Sequence, residues 1–218
     1  MHTKRIAAGG AKGIKWVATP KSSHKKGESI PLVSILKDLG YADKSDEARK
    51  IVVLGEVMVD GKKRKDKNFG VGLMDAVSIP KIGKNYRVVA EKNGLVLREI
   101  SETEAKLKPC RVIGKKTQAK GKIQVTLHDG TTFLTGKPMK VNDTVVLELP
   151  EKKIKEIIPF AEGNTVFIFS GRHRGKTGTI KGVEEGTAGR RSLTTVGDFK
   201  TLTEYLLVIG KDKPVVEL

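Results

Sequence analysis

Turn signals divide the sequence from residue 84 onward into short segments, and their density constrains the fold more than any other feature. Gly, Asn and Asp recur between runs in which apolar and polar residues alternate. This pattern is typical of short antiparallel strands and favours small β-barrels over one large sheet. The predicted strands cover residues 110–113, 122–127, 144–149, 165–169, 176–181 and 204–209.

The charge balance restricts the function. The 218 residues include 42 Lys and Arg against 25 Asp and Glu, which gives a net charge of +17 at pH 7. Such an excess destabilises a compact chain by self-repulsion, so it indicates a polyanionic partner, most commonly nucleic acid. The single cysteine, Cys110, indicates a reducing compartment, and no apolar run is long enough to cross a membrane. We therefore predict a cytoplasmic protein with no membrane partner.

Between residues 29 and 83 the apolar spacing is that of helices. Apolar residues recur after Pro31 at helical intervals, namely Leu32, Ile35, Leu36 and Leu39. Gly40 ends this helix, and Ser45 is a good N-cap for a second helix that ends at Gly55. Asp60-Gly61 then predicts a hairpin turn, and residues 76–79 predict the last strand of a small α+β unit.

Two local signals follow this unit. Residues 86–90 and 95–100 alternate in the manner of strands, and Asn93-Gly94 between them predicts a type I′ turn. Ser101 and Glu104 have the spacing of a capping box, which predicts a brief helix through Lys106.

The basic residues are clustered along the chain. Residues 1–27 contain seven cations and no Asp or Glu, and further clusters lie at 62–67, 106–122 and 172–176. Four clusters predict an RNA that contacts several faces of the protein. The RNA-binding candidates from these clusters are Lys4, Arg5, Lys12, Lys15, Lys25, Lys26, Lys62, Lys63, Arg64, Lys65, Lys115, Lys116, Arg172, His173, Arg174 and Lys176.

The first 28 residues have no sustained apolar period, so we predict an extension rather than a packed unit. Trp16, with Val17, either packs this extension against the body or stacks on a base, and it joins the RNA-binding candidates. Because the cations of the extension repel one another, we expect it to be disordered until phosphate neutralises them.

A Gly-rich segment spans residues 171–178. A phosphate-binding loop needs four residues between its glycines and a long helix after them, whereas Gly171 and Gly175 are separated by three and a strand is predicted to follow. We therefore reject nucleotide hydrolysis. The glycine spacing resembles the KOW motif, a hairpin of small barrels in ribosomal proteins and transcription elongation factors. The alternative is a hairpin whose charges are merely solvated.

The α+β unit resembles the S4 RNA-binding domain. The resemblance rests on the two helices, the Gly40-Tyr41-Ala42 turn, the Ser45-x-x-Ala48-Arg49 start of the second helix, and Asp60-Gly61. In that family, cations on the second helix and beside the hairpin contact RNA phosphates. The resemblance implies this role for Arg49, Lys50, Lys62, Lys63 and Arg64, and solvated faces are again the alternative.

The order of elements along nearly the whole chain resembles one family, the S4e proteins of the small ribosomal subunit, and the short chain resembles its archaeal members. The segments that carry this resemblance are His2-x-Lys4-Arg5-x-Ala7-Ala8, Trp16-Val17, Ser29-Ile30-Pro31-Leu32, Gly40-Tyr41-Ala42, Ala48-Arg49-Lys50-Ile51, Val59-Asp60-Gly61-Lys62, Gly72-Leu73-Met74-Asp75, Tyr86-Arg87-Val88, Val141-Asn142-Asp143-Thr144 and Val208-Ile209-Gly210-Lys211.

The resemblance implies a structural constituent of the small ribosomal subunit, with ribosomal RNA and neighbouring ribosomal proteins as partners. It implies a mainly β chain with a small α+β part. The expected domains are a basic extension (1–28), an S4-type domain (29–83), a central β domain (84–160) and a C-terminal KOW barrel (161–218). Aromatic residues form only 5% of the chain, so we expect contacts mainly to phosphate and sugar.

No catalytic or metal-binding pattern is evident. The four histidines are far apart in sequence and Cys110 is alone, so we predict no enzyme activity, metal, cofactor or small-molecule substrate. An RNA-modifying enzyme with an S4 domain would need a larger catalytic domain with a nucleophilic Asp. A transcription elongation factor would need a different α/β domain before its KOW barrel. Neither pattern is present.

Overall fold

The computed structural model describes residues 18–118, 121–211 and 214–216, and the chain divides into two compact units. The first comprises the described part of Met1–Val89 together with Asn93–Lys108 and Leu149–Glu151. The second comprises Ala90–Lys92, Pro109–Glu148 and the described part of Lys152–Leu218. Strands dominate the described residues and the few helices are short, which confirms the predicted fold class. No helix among them has the length and apolarity needed to span a membrane.

The first unit holds the three α-helices of the described chain, and the second has a 3-10 helix at Thr203–Tyr205. Its elements are β1 (Ser29–Pro31), α1 (Leu32–Asp38), α2 (Ser45–Val53), β2 (Met58–Val59), β3 (Lys62–Lys63), β4 (Gly70–Gly72), β5 (Ala76–Ile79), β6 (Lys84–Glu91), β7 (Gly94–Ile100) and α3 (Glu102–Ala105). Short 3-10 helices cover Lys26–Glu28 and Pro80–Ile82. β1 pairs with β4, and a five-stranded sheet has the order β3-β2-β5-β6-β7.

The two predicted helices of this unit are confirmed, but the N-cap of the second is not Ser45. The apolar stripe of α1 is buried, and Gly40 follows the helix with a φ of +73°. Ser45 is instead the first residue of α2 and Lys44 is the N-cap. The Glu47 carboxylate accepts the backbone N–H of Lys44 at 3.1 Å, so the residue at N3 satisfies the N–H of the N-cap residue itself.

The turns show both a confirmed prediction and a wrong one. Asp60 and Gly61 have φ of 52° and 71°, as a type I′ turn requires. The hairpin of β6 and β7 is present, but neither Asn93 nor Gly94 is among the residues with positive φ in the described chain. Gly94 is the buried first residue of β7, so the turn lies one position earlier than predicted.

The second unit contains most of the remaining strands. The strands after α3 are β8 (Leu107–Thr117), β9 (Ile123–Leu127), β10 (Thr132–Thr135), β11 (Thr144–Glu148), β12 (Lys153–Ile158), β13 (Thr165–Ile168), β14 (Thr177–Glu184), β15 (Leu193–Val196), β16 (Phe199–Leu202) and β17 (Leu206–Gly210). They form two five-stranded sheets, ordered β10-β9-β8-β11-β12 and β16-β15-β14-β13-β17. Each of the six predicted strands overlaps an observed one, whereas β10, β12, β15 and β16 were not predicted.

Each sheet of this unit has its own apolar face. Buried residues of β8, β9 and β11 pack with Met139, and Cys110 lies fully buried among them. This burial confirms Cys110 as a small core residue rather than an exposed thiol. In the second sheet Val166, Ile168 and Val208 are fully buried. The strands of this sheet are short and pair antiparallel, which fits the expected small β-barrel.

Candidate nucleic-acid interface

Residues 62–67, here called the basic segment, run alongside helix α2 in the opposite direction. Near the end of the helix, the Lys63 Cδ atom lies 3.6 Å from the position that a Cβ on Gly55 would occupy. At the start of the helix, Lys67 Nζ donates a hydrogen bond to Ser45 Oγ at 3.1 Å. The two contacts fix the segment at both ends of α2.

The exposed side of α2 carries the two predicted cations. Ala48 and Val52 are fully buried, so they hold the helix against the core. Arg49 follows Ser45 by four residues and therefore shares the face that the basic segment contacts. Lys50 lies on the adjoining exposed face. Helix and segment together expose five cations close to one another in the fold: Arg49, Lys50, Lys62, Lys63 and Lys65.

The cations of this surface differ from three exposed lysines elsewhere in the same unit. Lys81 pairs with Glu56 at 2.8 Å, Lys84 with Glu99 at 3.1 Å, and Lys106 with Glu102 at 2.9 Å. Five exposed residues, here called the α2 cations, have no ion pair within the described part of the chain: Arg49, Lys50, Lys62, Lys63 and Lys65. Their positive potential is therefore available to an external anion.

Arg64 is held differently from its neighbours. Its guanidinium carbon lies 4.1 Å above the centre of the Phe69 ring, and the residue is half-buried. Its backbone N–H donates to the carbonyl of Val57 at 3.2 Å. Arg64 thus helps to fix the basic segment on the unit as well as adding charge to it.

The predicted extension contacts the body over its described part. Pro20 is buried, the N–H of Lys21 donates to the Asn68 carbonyl at 2.8 Å, and the N–H of Gly70 donates to the Lys21 carbonyl at 3.3 Å. Lys25 and Lys26 are exposed, and Lys25 pairs with Glu28 at 3.5 Å. The remaining candidates of this segment lie outside the described residues: Lys4, Arg5, Lys12, Lys15 and Trp16.

A buried charge network in the same unit was missed by sequence reasoning. Lys108 Nζ lies 2.6 Å from a carboxylate oxygen of both Asp60 and Asp75. The other Asp75 oxygen lies 2.9 Å from His24 Nε2 and accepts the N–H of Gly72 at 2.8 Å. All four charged or titratable side chains are buried, although the sequence places Lys108 in the basic cluster 106–122 that predicts RNA contact.

The network shifts the pKa values of its two carboxyl groups in opposite directions. Burial acts to raise the pKa of Asp75, but the charges and hydrogen bonds of Lys108 and His24 outweigh it and hold that pKa well below its ordinary value. Burial and the nearby Asp75 carboxylate raise the pKa of Asp60, against the attraction of Lys108. The arrangement ties residues 24, 60, 75 and 108 together and so fixes the described part of the extension to the unit that carries the α2 cations.

The two predicted lysines of the second unit face opposite ways. Lys115 is paired in register with Val125, and Lys116 with Gln124. Both side chains are exposed, but successive residues of a strand point to opposite faces of a sheet. The two lysines therefore do not form one patch.

The tip of the β13–β14 hairpin is organised by an aromatic pair. The ring of His173 stacks on Phe199 with centroids 4.1 Å apart, and Lys176 Nζ lies 5.6 Å from the same ring centre. Gly171 and Gly175 adopt positive φ on either side of the tip, and Arg172 is exposed. Arg174 is half-buried. The strand β14, rather than a helix, follows these glycines, which agrees with the rejection of a phosphate-binding loop.

No group of three or more His, Cys, Asp or Glu side chains in the described ranges is arranged to hold a metal ion.

Comparison with known proteins gives two family matches. The model described as Ribosomal family S4e matches residues 82–154, and the S4 domain model matches residues 30–77. The small ribosomal subunit protein eS4 of Methanocella arvoryzae is 39% identical over 99% of this chain and 97% of its own length. This chain belongs to the S4e family.

Further members agree with this S4e assignment. The small ribosomal subunit protein eS4 of Methanothermobacter thermautotrophicus is 40% identical over 95% of this chain and 89% of its own length. A crystal structure of the 30S ribosomal protein S4e from Thermoplasma acidophilum is 37% identical, with a TM-score of 0.76 over 84% of this chain and 96% of that one. Within the S4e chain, the S4 domain match encloses α1, α2 and the basic segment.

Proposed function

We propose that this chain is a structural, non-enzymatic constituent of the small ribosomal subunit that binds ribosomal RNA, in the cytoplasm, beside other ribosomal proteins of that subunit. The observation that carries the proposal is the grouping of the five α2 cations on one helix and the segment beside it, with no ion pair in the described part of the chain, in contrast to the paired Lys81, Lys84 and Lys106 of the same unit. Membership in a ribosomal family and the S4 domain match support the same conclusion.

The α2 cations would bind chiefly to phosphate. Lysine offers a mobile point charge and arginine a planar fork of donors, and both suit phosphate oxygens. Few aromatic side chains are available for stacking, since they form 5% of the chain. Contacts of this kind position the protein on folded RNA through shape and charge rather than through base sequence.

The remaining candidates would act as separate contacts. Arg172, Arg174 and Lys176 flank His173 in sequence, Lys176 Nζ also lies near the Phe199 ring, and Lys116 is exposed and paired in register with Gln124. Each is distant in sequence from the α2 cations. An RNA held at several points would gain affinity from their combined action and would neutralise much of the net charge of +17.

Sedimentation of a cell extract tests the proposal directly. Tagged full-length protein should comigrate with small ribosomal subunits at physiological salt and leave them at high salt, because counterion release weakens phosphate contacts. The double variant Lys62→Gln, Lys63→Gln should shift the protein toward the top of the gradient. The matched control Lys84→Gln should behave as wild type, since Lys84 is exposed but paired with Glu99.

Three results would contradict the proposal. The protein could sediment away from small subunits at physiological salt, or sediment with RNA polymerase instead. Alternatively, Lys84→Gln could impair association as much as the Lys62 and Lys63 variant, which would remove the special role of the unpaired cations.

A further inference from the structure

A groove crosses one face of the five-stranded sheet in the first unit. Met58, Ser78 and Asn85 form its floor, because register pairs Met58 with Ser78 and Ser78 with Asn85 across β2, β5 and β6. Ala105 of α3 and Pro150 form walls. The groove encloses about 470 Å³, which is within the range of small-ligand sites. The floor is therefore a single row of side chains that crosses the three strands.

The groove combines apolar contact with polar groups that are open to a ligand. Met58, Ala105 and Pro150 offer apolar surface to a flat molecule. Neither the Ser78 hydroxyl nor the Asn85 amide has a hydrogen-bond partner in the described part of the chain, and both residues are half-buried. The one carboxylate of the lining, Glu102, is paired with Lys106 at 2.9 Å, so its charge is compensated.

A cation stands at the end of the floor. Lys63 is paired in register with Met58, so the row continues from Asn85 through Ser78 and Met58 to Lys63. Lys63 is one of the α2 cations and is exposed. An anionic group bound there would lie one strand spacing from Met58.

We propose that this groove binds one unstacked nucleobase of ribosomal RNA, with the adjoining backbone phosphate at Lys63. The inference rests on the proposed function. Met58 and Pro150 would contact the base faces, and the Asn85 amide, which can donate and accept at once, would pair with a base edge. Sequence-specific RNA recognition commonly uses unstacked bases of this kind. The adjacent cation favours a nucleotide over an apolar peptide segment.

Binding to deproteinised small-subunit ribosomal RNA, measured by filter retention at several salt concentrations, tests the groove. The variant Asn85→Ala should lower affinity about tenfold and leave the salt slope unchanged, because it removes a base contact and no charge. Asn93→Ala, in the exposed turn between β6 and β7, is the matched control and should bind as wild type. Circular dichroism melting should show that both variants fold.

A second measurement reports the groove itself. On addition of mixed-sequence single-stranded RNA hexamers, the Asn85 side-chain amide and the Met58 methyl signals should shift in the NMR spectrum of the full chain, and the Asn93 amide should not. Equal affinity of folded Asn85→Ala and Asn93→Ala, with wild type binding RNA normally, would overturn the groove inference alone. Shifts caused by purified small-subunit proteins but not by RNA would also overturn it. A wild-type chain that binds no ribosomal RNA would overturn the proposed function too.

Discussion

Lys108 is the residue whose environment departs furthest from its sequence context. It follows a short helix in a basic cluster, yet its ammonium is almost fully buried between Asp60 and Asp75. A charge can be buried at this depth only when it is paired and hydrogen-bonded on several sides. The network therefore fixes the turn at Asp60 and the loop at Asp75 in relation to each other.

Replacement of Lys108 tests the energetic importance of this network. Lys108→Met leaves two buried carboxylates without their shared cation, so the free energy of unfolding should fall by about 3–5 kcal/mol. Lys106→Met, two residues away, removes only the exposed pair with Glu102 and should change it by less than about 1 kcal/mol. Urea unfolding of both variants measures the difference. Similar losses for the two would show that burial of Lys108 contributes nothing special.

The pKa of Asp75 gives the network a pH dependence. Because that pKa is held below its ordinary value of 3.8, the ionised group stabilises the fold above that pH and its contribution declines as the pH falls toward the lowered pKa. The raised pKa of Asp60 acts in the opposite direction, since its contribution is lost as the pH rises. The stability gap between wild type and Asp75→Asn should therefore be constant at neutral pH and shrink below about pH 4. A gap that widens on acidification contradicts this assignment.

Variants of His173 test whether its aromatic ring or its charge contributes to RNA affinity at the hairpin tip. The His173 ring stacks on Phe199, and Lys176 Nζ lies 5.6 Å from the centre of the same Phe199 ring. His173→Phe should keep the affinity for ribosomal RNA, whereas His173→Lys should lose about two- to tenfold, the size of an aromatic pair contribution. Filter binding at pH 8 compares the two variants with wild type. Retained affinity in the lysine variant alone would assign the role to charge.

At the scale of elements, we predict that α2 and the basic segment bind phosphate together. For single-stranded RNA, each phosphate contact contributes about −0.7 to the slope of log affinity against log salt. The variant Lys62→Gln, Lys63→Gln should therefore reduce the magnitude of the slope by about 1.4, and Lys84→Gln should leave it unchanged. Titrations between 50 and about 300 mM salt provide the slopes. A parallel loss of affinity with an unchanged slope would show that these lysines do not contact phosphate.

Elements with local signals were predictable, and elements that depend on distant partners were not. The stripe of α1, the capping box of α3 and the turn at Asp60-Gly61 are each encoded within a few residues, and all three are confirmed. β12 was missed because its half-exposed residues show no clean alternation and it is fixed by pairing with β11. The network around Lys108 joins residues up to 84 positions apart, so no local sequence pattern predicts it.

The site shows the same division. Clustering and the S4 resemblance were sufficient to select the cations beside α2, because charge clusters are visible in sequence. Which of them are unpaired, that Arg64 covers Phe69, and that Lys115 and Lys116 face opposite ways depend on tertiary contacts. The groove with Asn85 is likewise assembled from three strands and could not be read from spacing.

At the scale of the whole molecule, the net charge of +17 has opposite consequences for folding and for binding. In the free chain, the α2 cations repel one another and other cations, and added salt screens that repulsion. In the complex, the same salt competes with phosphate. Raising salt from about 20 to 200 mM should therefore raise the melting temperature of the free protein while it lowers the affinity for ribosomal RNA. Thermal melts and filter binding in identical buffers check both signs.

The variant Lys62→Gln, Lys63→Gln removes two positive charges, so its melting temperature and its RNA affinity should both depend less on salt. Lys84→Gln removes a charge that is paired with Glu99, so it should weaken neither salt dependence to the same extent. A melting temperature that falls with salt would show that attractive surface ion pairs outweigh the repulsion. The excess positive charge would then not destabilise the free protein, and the argument that it requires a polyanionic partner would fail.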